Sequence, residues 1–298
     1  MRADAVRLPR FAVTCLATIF SGLLLVLLAG AQVVRACPNP CTVAGGTYQV
    51  LEPDGWDRKS ALPVLFWFHG YQRSGAYVVN SPKTGGQARK NGVLLIAPDD
   101  MNKSWSVANA PRKDRDELAF VEEILADVRA RWPVDEDRVW AAGFSMGGSM
   151  TWEIACRKAG LFKAYFPVSG SFWAPIPEDC ATAPDRLRHV HGMKDPVMPL
   201  EGRVIRETWR QGNLFQGFDL LKAENRCAAE PTRVYKDGDR QCRVWSGCGG
   251  ATEMQLCLHG GGHMIPPDWI ASSIAWANGL GANGLGANGL GANGLPKN

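Results

Sequence analysis

The feature that most constrains this chain is a serine between glycines, Ser145, at the point where an apolar strand-like run meets a helical segment. Residues 138–142 are largely apolar and too few for a helix, which indicates a buried strand, whereas residues 149–155 continue with residues suited to a helix. A strand that enters a helix through G-x-S-x-G presents the serine hydroxyl at the carboxyl edge of a sheet. Ser145 is therefore the predicted nucleophile.

A serine nucleophile needs a carboxylate to orient its base, and in this architecture the carboxylate comes next in the chain, after a later strand. Residues 187–192 are typical of a short strand ending at a glycine, and Asp195 lies in the loop that follows. Three other aspartates are candidates: Asp179, Asp185 and Asp268. Asp195 is the predicted acid because only it follows a strand at the required point in the chain order.

The base is expected last in the chain. Residues 253–258 alternate as a strand, and the run H-G-G-G-H follows from His259 to His263. His263 is the predicted base because the glycines give the chain the freedom to carry it to the elbow, and His259 is the alternative. The two histidines have the spacing of metal ligands on a helix, but three intervening glycines disfavour a helix, so no metal is predicted.

The oxyanion requires two backbone N–H donors, one directly after the nucleophile and one after an early strand. An apolar strand at residues 63–68 runs straight into His69-Gly70-Tyr71. The predicted donors are the N–H groups of Met146 and Tyr71. Trp105 and Trp173 lie on segments expected near the elbow and are the predicted walls of a modest apolar substrate pocket.

Several motifs together resemble one family: H-G at residues 69–70, G-F-S-M-G-G at 143–148, H-G-M-K-D-P-V-M-P at 191–199 and G-G-G-H at 260–263. The chain is similar, over residues 48–276, to the secreted α/β-hydrolase esterases grouped as poly(3-hydroxybutyrate) depolymerases and feruloyl or acetylxylan esterases. The resemblance implies an α/β-hydrolase fold, with a mostly parallel central sheet and helices on both faces. It also implies a carboxylic ester hydrolase with the triad Ser145, Asp195 and His263, and no cofactor is predicted.

The resemblance leaves the ester open between polyhydroxyalkanoate oligomers and feruloyl or acetyl esters of plant polysaccharide. A serine peptidase of the same fold is one alternative function, disfavoured because the chain has no propeller or large lid domain. A non-catalytic secreted binding module is another, and the presence of all three triad residues argues against it.

The N-terminus predicts export from the cytoplasm. Three arginines precede an apolar run at residues 11–28, and small residues end it, which is the pattern of a signal peptide over residues 1–31. Cleavage after Ala36 and an uncleaved membrane anchor are the alternatives. The predicted location is extracellular or periplasmic, and no stable membrane partner is expected once the leader is removed.

Cysteine usage agrees with export. The chain has nine cysteines, and all but Cys15 lie beyond the predicted leader, an even set that favours disulfides in an oxidising compartment. Eight cysteines allow 105 connectivities, and the sequence leaves the choice open; the pairing selected here is Cys37–Cys41, Cys156–Cys180, Cys227–Cys248 and Cys242–Cys257. The last pair is expected to join neighbouring strands.

Length favours one catalytic domain, predicted over residues 32–276. Residues 114–132 have helical periodicity, with Asp114 and Glu117 at capping-box spacing.

A formal net charge of +4 at pH 7 gives no reason to invoke nucleic acid, so an ester substrate is the expected partner. Residues 277–298 repeat Ala-Asn-Gly-Leu-Gly, which is too poor in apolar residues to form a core, and a disordered tail is predicted there.

Overall fold

The computed structural model describes residues 37–249 and 253–282. The strands in these residues are β1 Cys41–Val43, β2 Gly46–Leu51, β3 Leu62–Phe68, β4 Leu94–Pro98, β5 Val134–Phe144, β6 Ala164–Val168, β7 Trp173–Ala174, β8 Arg186–Gly192, β9 Val204–Ile205, β10 Trp209–Gln211, β11 Arg233–Asp237, β12 Arg240–Ser246 and β13 Glu253–His259. The α-helices are α1 Gly75–Asn80, α2 Gly85–Lys90, α3 Glu117–Arg131, α4 Met146–Arg157, α5 Leu214–Glu224 and α6 Trp269–Ala282. The predicted signal peptide, residues 1–31, lies outside the described residues.

Ten strands form one sheet in the order β1-β2-β4-β3-β5-β6-β8-β13-β12-β11. The six strands from β4 to β13 pair in parallel, and the strands at both ends of the sheet pair antiparallel. A small antiparallel sheet, β7-β10-β9, stands beside it. Because parallel strands end at the same edge, the loops after β3, β5, β8 and β13 meet there, and such an edge is where α/β proteins bind ligands.

Helices cover both faces of the large sheet. Along β3, Val64 and Phe66 belong to one hydrophobic core and Leu65 and Trp67 to the other, as the two-residue period of a strand requires. Helices α3, α4 and α5 pack into the first core, and helices α1, α2 and α6 pack into the second. The predicted fold class, a mostly parallel sheet with helices on both faces, is confirmed.

All four predicted disulfides are present, which confirms the pairing. Their Cα–Cα distances run from 4.0 to 5.3 Å, for Cys37–Cys41, Cys156–Cys180, Cys227–Cys248 and Cys242–Cys257. As expected, the last bridge joins directly opposite positions of the neighbouring strands β12 and β13. The second ties the end of α4 to the segment that leads into β8.

The start of α3 differs from the capping box predicted at Asp114. The helix begins after Asp116, whose carboxylate accepts hydrogen bonds from Leu118 N and Ala119 N at 3.1 Å. Glu117 is unavailable as a capping residue because its buried carboxylate pairs with Arg115 at 2.6 Å.

The end of α6 also differs from the sequence prediction. The helix continues through residues 277–282, for which the repeat pattern predicts a disordered tail. Packing explains the difference, since Ala277 is buried in the core beside Ile274. The rest of the predicted tail, residues 283–298, lies outside the described residues.

Candidate active site

Ser145 occupies the sharp turn between β5 and α4, with φ 58° and ψ −118°. A positive φ is unfavourable for a residue with a side chain, and such residues cluster at functional turns. Two main-chain hydrogen bonds hold the turn: Ser145 N donates to Val168 O at 2.9 Å, and Ser149 N donates to Ser145 O at 3.0 Å. The serine therefore stands at the start of a helix, at the carboxyl end of a central strand.

The glycines around Ser145 are required by close approach of the backbone. A Cβ at Gly147 would overlap the carbonyl group of Phe68, and a Cβ at Gly143 would overlap the carbonyl group of Gly147. The helix α4 thus packs directly against the end of β3, which brings the turn after β3 beside the serine.

Asp195 lies in the loop after β8 with its side chain fully buried. Its Oδ1 accepts hydrogen bonds from Val197 N at 2.9 Å and Met198 N at 2.8 Å, and its Oδ2 lies 2.7 Å from His263 Nδ1. Burial raises the pKa of the Asp195 carboxyl, but the nearby His191 N–H and the hydrogen bonds from His263 and Met198 N outweigh burial and lower the pKa below its usual range. The group is a carboxylate at neutral pH.

His263 lies in the loop after β13, and its side chain is 16% exposed. An ionised carboxylate only accepts hydrogen bonds, so the ring proton of neutral His263 is on Nδ1 and Nε2 has a free lone pair. The ring also contacts Phe144, with 4.6 Å between ring centroids. Since Phe144 directly precedes Ser145, the loop that carries His263 packs against the serine turn.

The alternative base and one alternative acid have other partners. His259 is buried, and its Nδ1 accepts a hydrogen bond from Gly261 N at 3.1 Å. Asp268 pairs with Arg240 at 2.7 Å. The structure therefore joins Asp195 to His263 and leaves His259 at the end of β13, bonded to the glycine loop that follows.

The turn after β3 lies against the serine turn: a Cβ at Gly70 would sit 3.5 Å from the Ser145 Cβ. Tyr71 follows with an exposed side chain, and Met146 is the first residue of α4. Within residues 37–249 and 253–282, no hydrogen bond engages the N–H group of Tyr71 or of Met146. Among these residues, therefore, neither N–H group predicted to bind an oxyanion has a hydrogen-bond partner.

Trp105 does not form the predicted pocket wall. Its side chain is fully buried, packs edge-on against Phe68, and donates from Nε1 to His69 O at 2.8 Å. It supports the turn after β3 from the core side, because an indole N–H satisfies a carbonyl that the turn leaves unpaired.

Trp173 lies on β7 and is 7% exposed. Next to it, a cavity of about 380 Å³ is lined by residues that include Ala174, Pro175 and Arg210. Its role as a substrate contact stays a prediction.

Two side chains near the site escaped the sequence analysis. His191 has its Nε2 3.5 Å from Asp195 Oδ2. Asp100, after β4, has Oδ1 4.0 Å from His69 Nε2. The pattern H-V-H-G could have indicated the first, because residues two apart on a strand share a face and His191 is the next-to-last residue of the strand that leads to the acid. Among the described residues, no cluster of three or more His, Cys, Asp or Glu side chains could hold a metal ion.

The chain is similar to known esterases. The family described as "Putative esterase" matches residues 46–212. Feruloyl esterase C of Emericella nidulans is 29% identical over 239 residues, covering 78% of this chain and 82% of that protein.

Solved structures with the same fold include an acetyl xylan esterase from Aspergillus awamori and a Bacillus cereus carboxylesterase. The first has a TM-score of 0.56 at 13% identity, and the second 0.51 at 12% identity. Each comparison covers 78% of this chain and 93% of the solved chain. These likenesses identify the architecture as the α/β-hydrolase fold.

Proposed function

Because the chain belongs to the esterase family and is a carboxylic ester hydrolase, we propose that it is a serine esterase acting through Ser145, His263 and Asp195. The observation that carries this proposal is the 2.7 Å contact between His263 Nδ1 and Asp195 Oδ2, on the loop that packs against the serine turn. It leaves His263 Nε2 as the only ring nitrogen able to accept a proton.

In the proposed mechanism, Ser145 Oγ attacks the ester carbonyl carbon while His263 Nε2 takes the hydroxyl proton. The oxyanion accepts hydrogen bonds from the N–H groups of Met146 and Tyr71. His263 then gives its proton to the departing alcohol, which leaves an acyl group on Ser145. A water molecule, deprotonated by His263, attacks this acyl-enzyme, releases the carboxylic acid and restores the serine hydroxyl.

Asp195 contributes by orienting His263 and by stabilising the imidazolium that forms in each half-reaction. Its low pKa keeps it ionised throughout. The contribution is electrostatic, since the carboxylate does not itself become protonated.

The proposed substrates are soluble esters of a short acyl group or of an aromatic acid. The similar protein from Emericella nidulans is named feruloyl esterase C, which supports an ester of an aromatic acid as the substrate. Several apolar side chains are exposed on the loops that carry Asp195, His263 and the Tyr71 N–H group. They are Tyr71, Met193, Val197 and Met264. Apolar side chains around a reactive group favour an apolar or aromatic acyl group over a charged one.

We also propose that the protein is secreted. Four disulfides support this, because disulfides persist in oxidising compartments. In the part of the chain that the structure describes, none of the helices is long and apolar enough to cross a bilayer.

The experiment is a comparison of initial rates on methyl ferulate, p-nitrophenyl butyrate, a peptide amide and a poly(3-hydroxybutyrate) film. We expect the two soluble esters to be cleaved far faster than the film or the amide. The Ser145→Ala variant should remain folded and lose on the order of 10⁴-fold or more in turnover. Retention of more than about a tenth of the wild-type rate would overturn the assignment of the nucleophile.

A further inference from the structure

A line of buried polar side chains leads from the core to Asp195. Trp152 Nε1 lies 3.3 Å from His189 Nδ1, and His189 Nε2 lies 3.0 Å from His191 Nδ1. His191 Nε2 in turn lies 2.7 Å from Met198 O and 3.5 Å from Asp195 Oδ2. All three members of this chain, which we call the histidine chain, are buried: Trp152, His189 and His191.

The hydrogen-bond direction of the histidine chain follows from its first member. An indole N–H can only donate, so His189 Nδ1 accepts from Trp152 and carries no proton. His189 is therefore neutral with its proton on Nε2, which donates to His191 Nδ1. His191 Nδ1 consequently has no proton either, and the His191 proton is on Nε2. The contact at the other end of the histidine chain is consistent with this assignment, because the carbonyl of Met198 can only accept a hydrogen bond and His191 Nε2 must therefore donate it.

Burial supports the neutral state of the first histidine. It lowers the pKa of His189 well below its usual value, and the neighbouring His191 acts in the same direction.

His191 acts on Asp195 through Met198. The carbonyl of Met198 accepts from His191 Nε2, while the N–H of the same residue donates to Asp195 Oδ1 at 2.8 Å. The His191 N–H dipole also points its positive end into the neighbourhood of Asp195 Oδ2, the oxygen that binds His263. The imidazole thereby fixes the turn in which the carboxylate is held.

The other end of the histidine chain lies on the helix of the nucleophile. Trp152 belongs to α4, which begins directly after Ser145, and its ring packs edge-on against Phe172 and His189. The histidine chain thus connects the helix that follows the nucleophile to the loop that carries the acid.

We propose that His191, locked in its Nε2–H form by His189 and Trp152, is a positioning residue that holds the Asp195 loop in the shape that presents Oδ2 to His263. This inference rests on the proposed function, because it assigns a role within the same triad. It does not place His191 in contact with substrate.

The test compares two amide variants of His191. The side-chain nitrogen of glutamine reaches the position of the imidazole Nε2, whereas that of asparagine reaches only the position of Nδ1. We expect His191→Asn to lower kcat about tenfold or more while KM changes less than about threefold, and His191→Gln to regain most of the lost kcat. If His191 has a purely structural role, the two variants should lose similar amounts of unfolding temperature and should have equal kcat values per folded molecule. Equal kcat values would overturn the proposal.

Spectroscopy supplies a second readout. The low-field proton resonance of His263 Nδ1–H reports its hydrogen bond to Asp195. It should persist in His191→Gln and shift or broaden in His191→Asn, and an unchanged resonance in both variants contradicts the proposal. His259→Asn is the matched control, since His259 is also buried and contacts no member of the histidine chain or triad through a hydrogen bond.

If the variants do not fold, the proposed protonation of His189 and His191 can be tested on the wild-type protein. Nitrogen-15 spectra of the histidine rings at neutral pH should show the Nε2–H form for both His189 and His191, and an Nδ1–H form of either one overturns the proposal. The Ser145→Ala variant keeps the two proposals apart. If esterase activity depends on Ser145 but the two His191 variants have the same kcat, only this inference is wrong. If the wild-type protein has no esterase activity, the proposed function is wrong.

Discussion

His263 Nδ1 and Asp195 Oδ2 lie 2.7 Å apart, although the two residues are 68 positions apart in the chain. The carboxylate reaches this position from the loop after β8, and the imidazole reaches it from the loop after β13. These strands are parallel neighbours in register, with His259 opposite Gly192, so their loops leave the sheet side by side.

The first prediction concerns the charge of Asp195. An amide in its place can offer an N–H to His263 and favour the wrong tautomer of the imidazole, so Asp195→Asn should lower kcat by about 10⁴-fold with the protein still folded. Steady-state kinetics on p-nitrophenyl butyrate measures the effect. His259→Ala is the control and should change kcat little. If it is worse than His263→Ala, the base has been assigned to the wrong histidine.

The second prediction concerns Trp105, which holds His69 O from the core side. Trp105→Phe removes one buried hydrogen bond beside the turn that carries Tyr71, and we expect kcat to fall about three- to tenfold, as the loss of about 1 kcal/mol implies. Trp132→Phe is the matched control. Trp132 is equally buried and donates to Glu52 at 3.1 Å, on the side of the core near α3. Similar kcat losses in both variants would count against a specific role of the turn.

The third prediction concerns the disulfides. Removing the bridge Cys156–Cys180, which spans 24 positions, should lower the free energy of unfolding by about 3 kcal/mol, whereas removing Cys37–Cys41, which spans only 4, should cost less. Urea denaturation of the two paired Cys→Ala variants compares them. Thiol titration of the denatured secreted protein should find no free thiol. Two or more free thiols per chain would contradict complete pairing.

The fourth prediction concerns pH and Asp100. Burial, together with the neighbouring Glu117 carboxylate, raises the pKa of Asp100 to about 6, against about 3.9 in the unfolded chain. Between these values the folded state binds more protons than the unfolded state, so the contribution of Asp100 to stability falls as pH rises from about 4 to about 6. Asp100→Asn should remove this dependence and stabilise the protein at neutral pH.

Denaturation midpoints at about pH 4.5 and pH 7 measure the effect of Asp100. Asp137→Asn provides the control, because Asp137 is an exposed aspartate. An equal pH response in both variants would show that Asp100 does not titrate in this window.

The fifth prediction concerns the end of the chain. Truncation after residue 282 should leave both stability and turnover unchanged. Truncation after Trp276 removes the last part of α6 and the buried Ala277, so it should lower the unfolding temperature. Thermal denaturation of the two truncated proteins tests this. Film clearing that disappears when residues 283–298 are removed would instead identify the repeat as a polymer-binding element.

Much of the architecture follows from local patterns. The apolar runs that lead to Phe68 and Phe144 predict two of the parallel strands, because a strand buried on both faces has a continuous apolar sequence. The segments that end at Gly192 and His259 are mixed or alternating in polarity, and their short length and the glycines after them predict the other two strands. The glycines around Ser145 predict the turn, because only glycine leaves room for the backbone of a neighbouring strand. The export signal and the even number of cysteines beyond it predict disulfides, but the choice among the 105 possible connectivities is made by the tertiary structure.

The sequence by itself determined the order of the chemical groups and the strand ends on which they stand, because both depend on neighbours in the chain. Tertiary structure alone decided that His263 rather than His259 meets Asp195, and that the indole of Trp105 turns into the core to hold His69. It also aligned Trp152, His189 and His191 behind the acid. These contacts join segments tens of residues apart, and their energies depend on how buried polar groups find partners once the sheet and helices have packed.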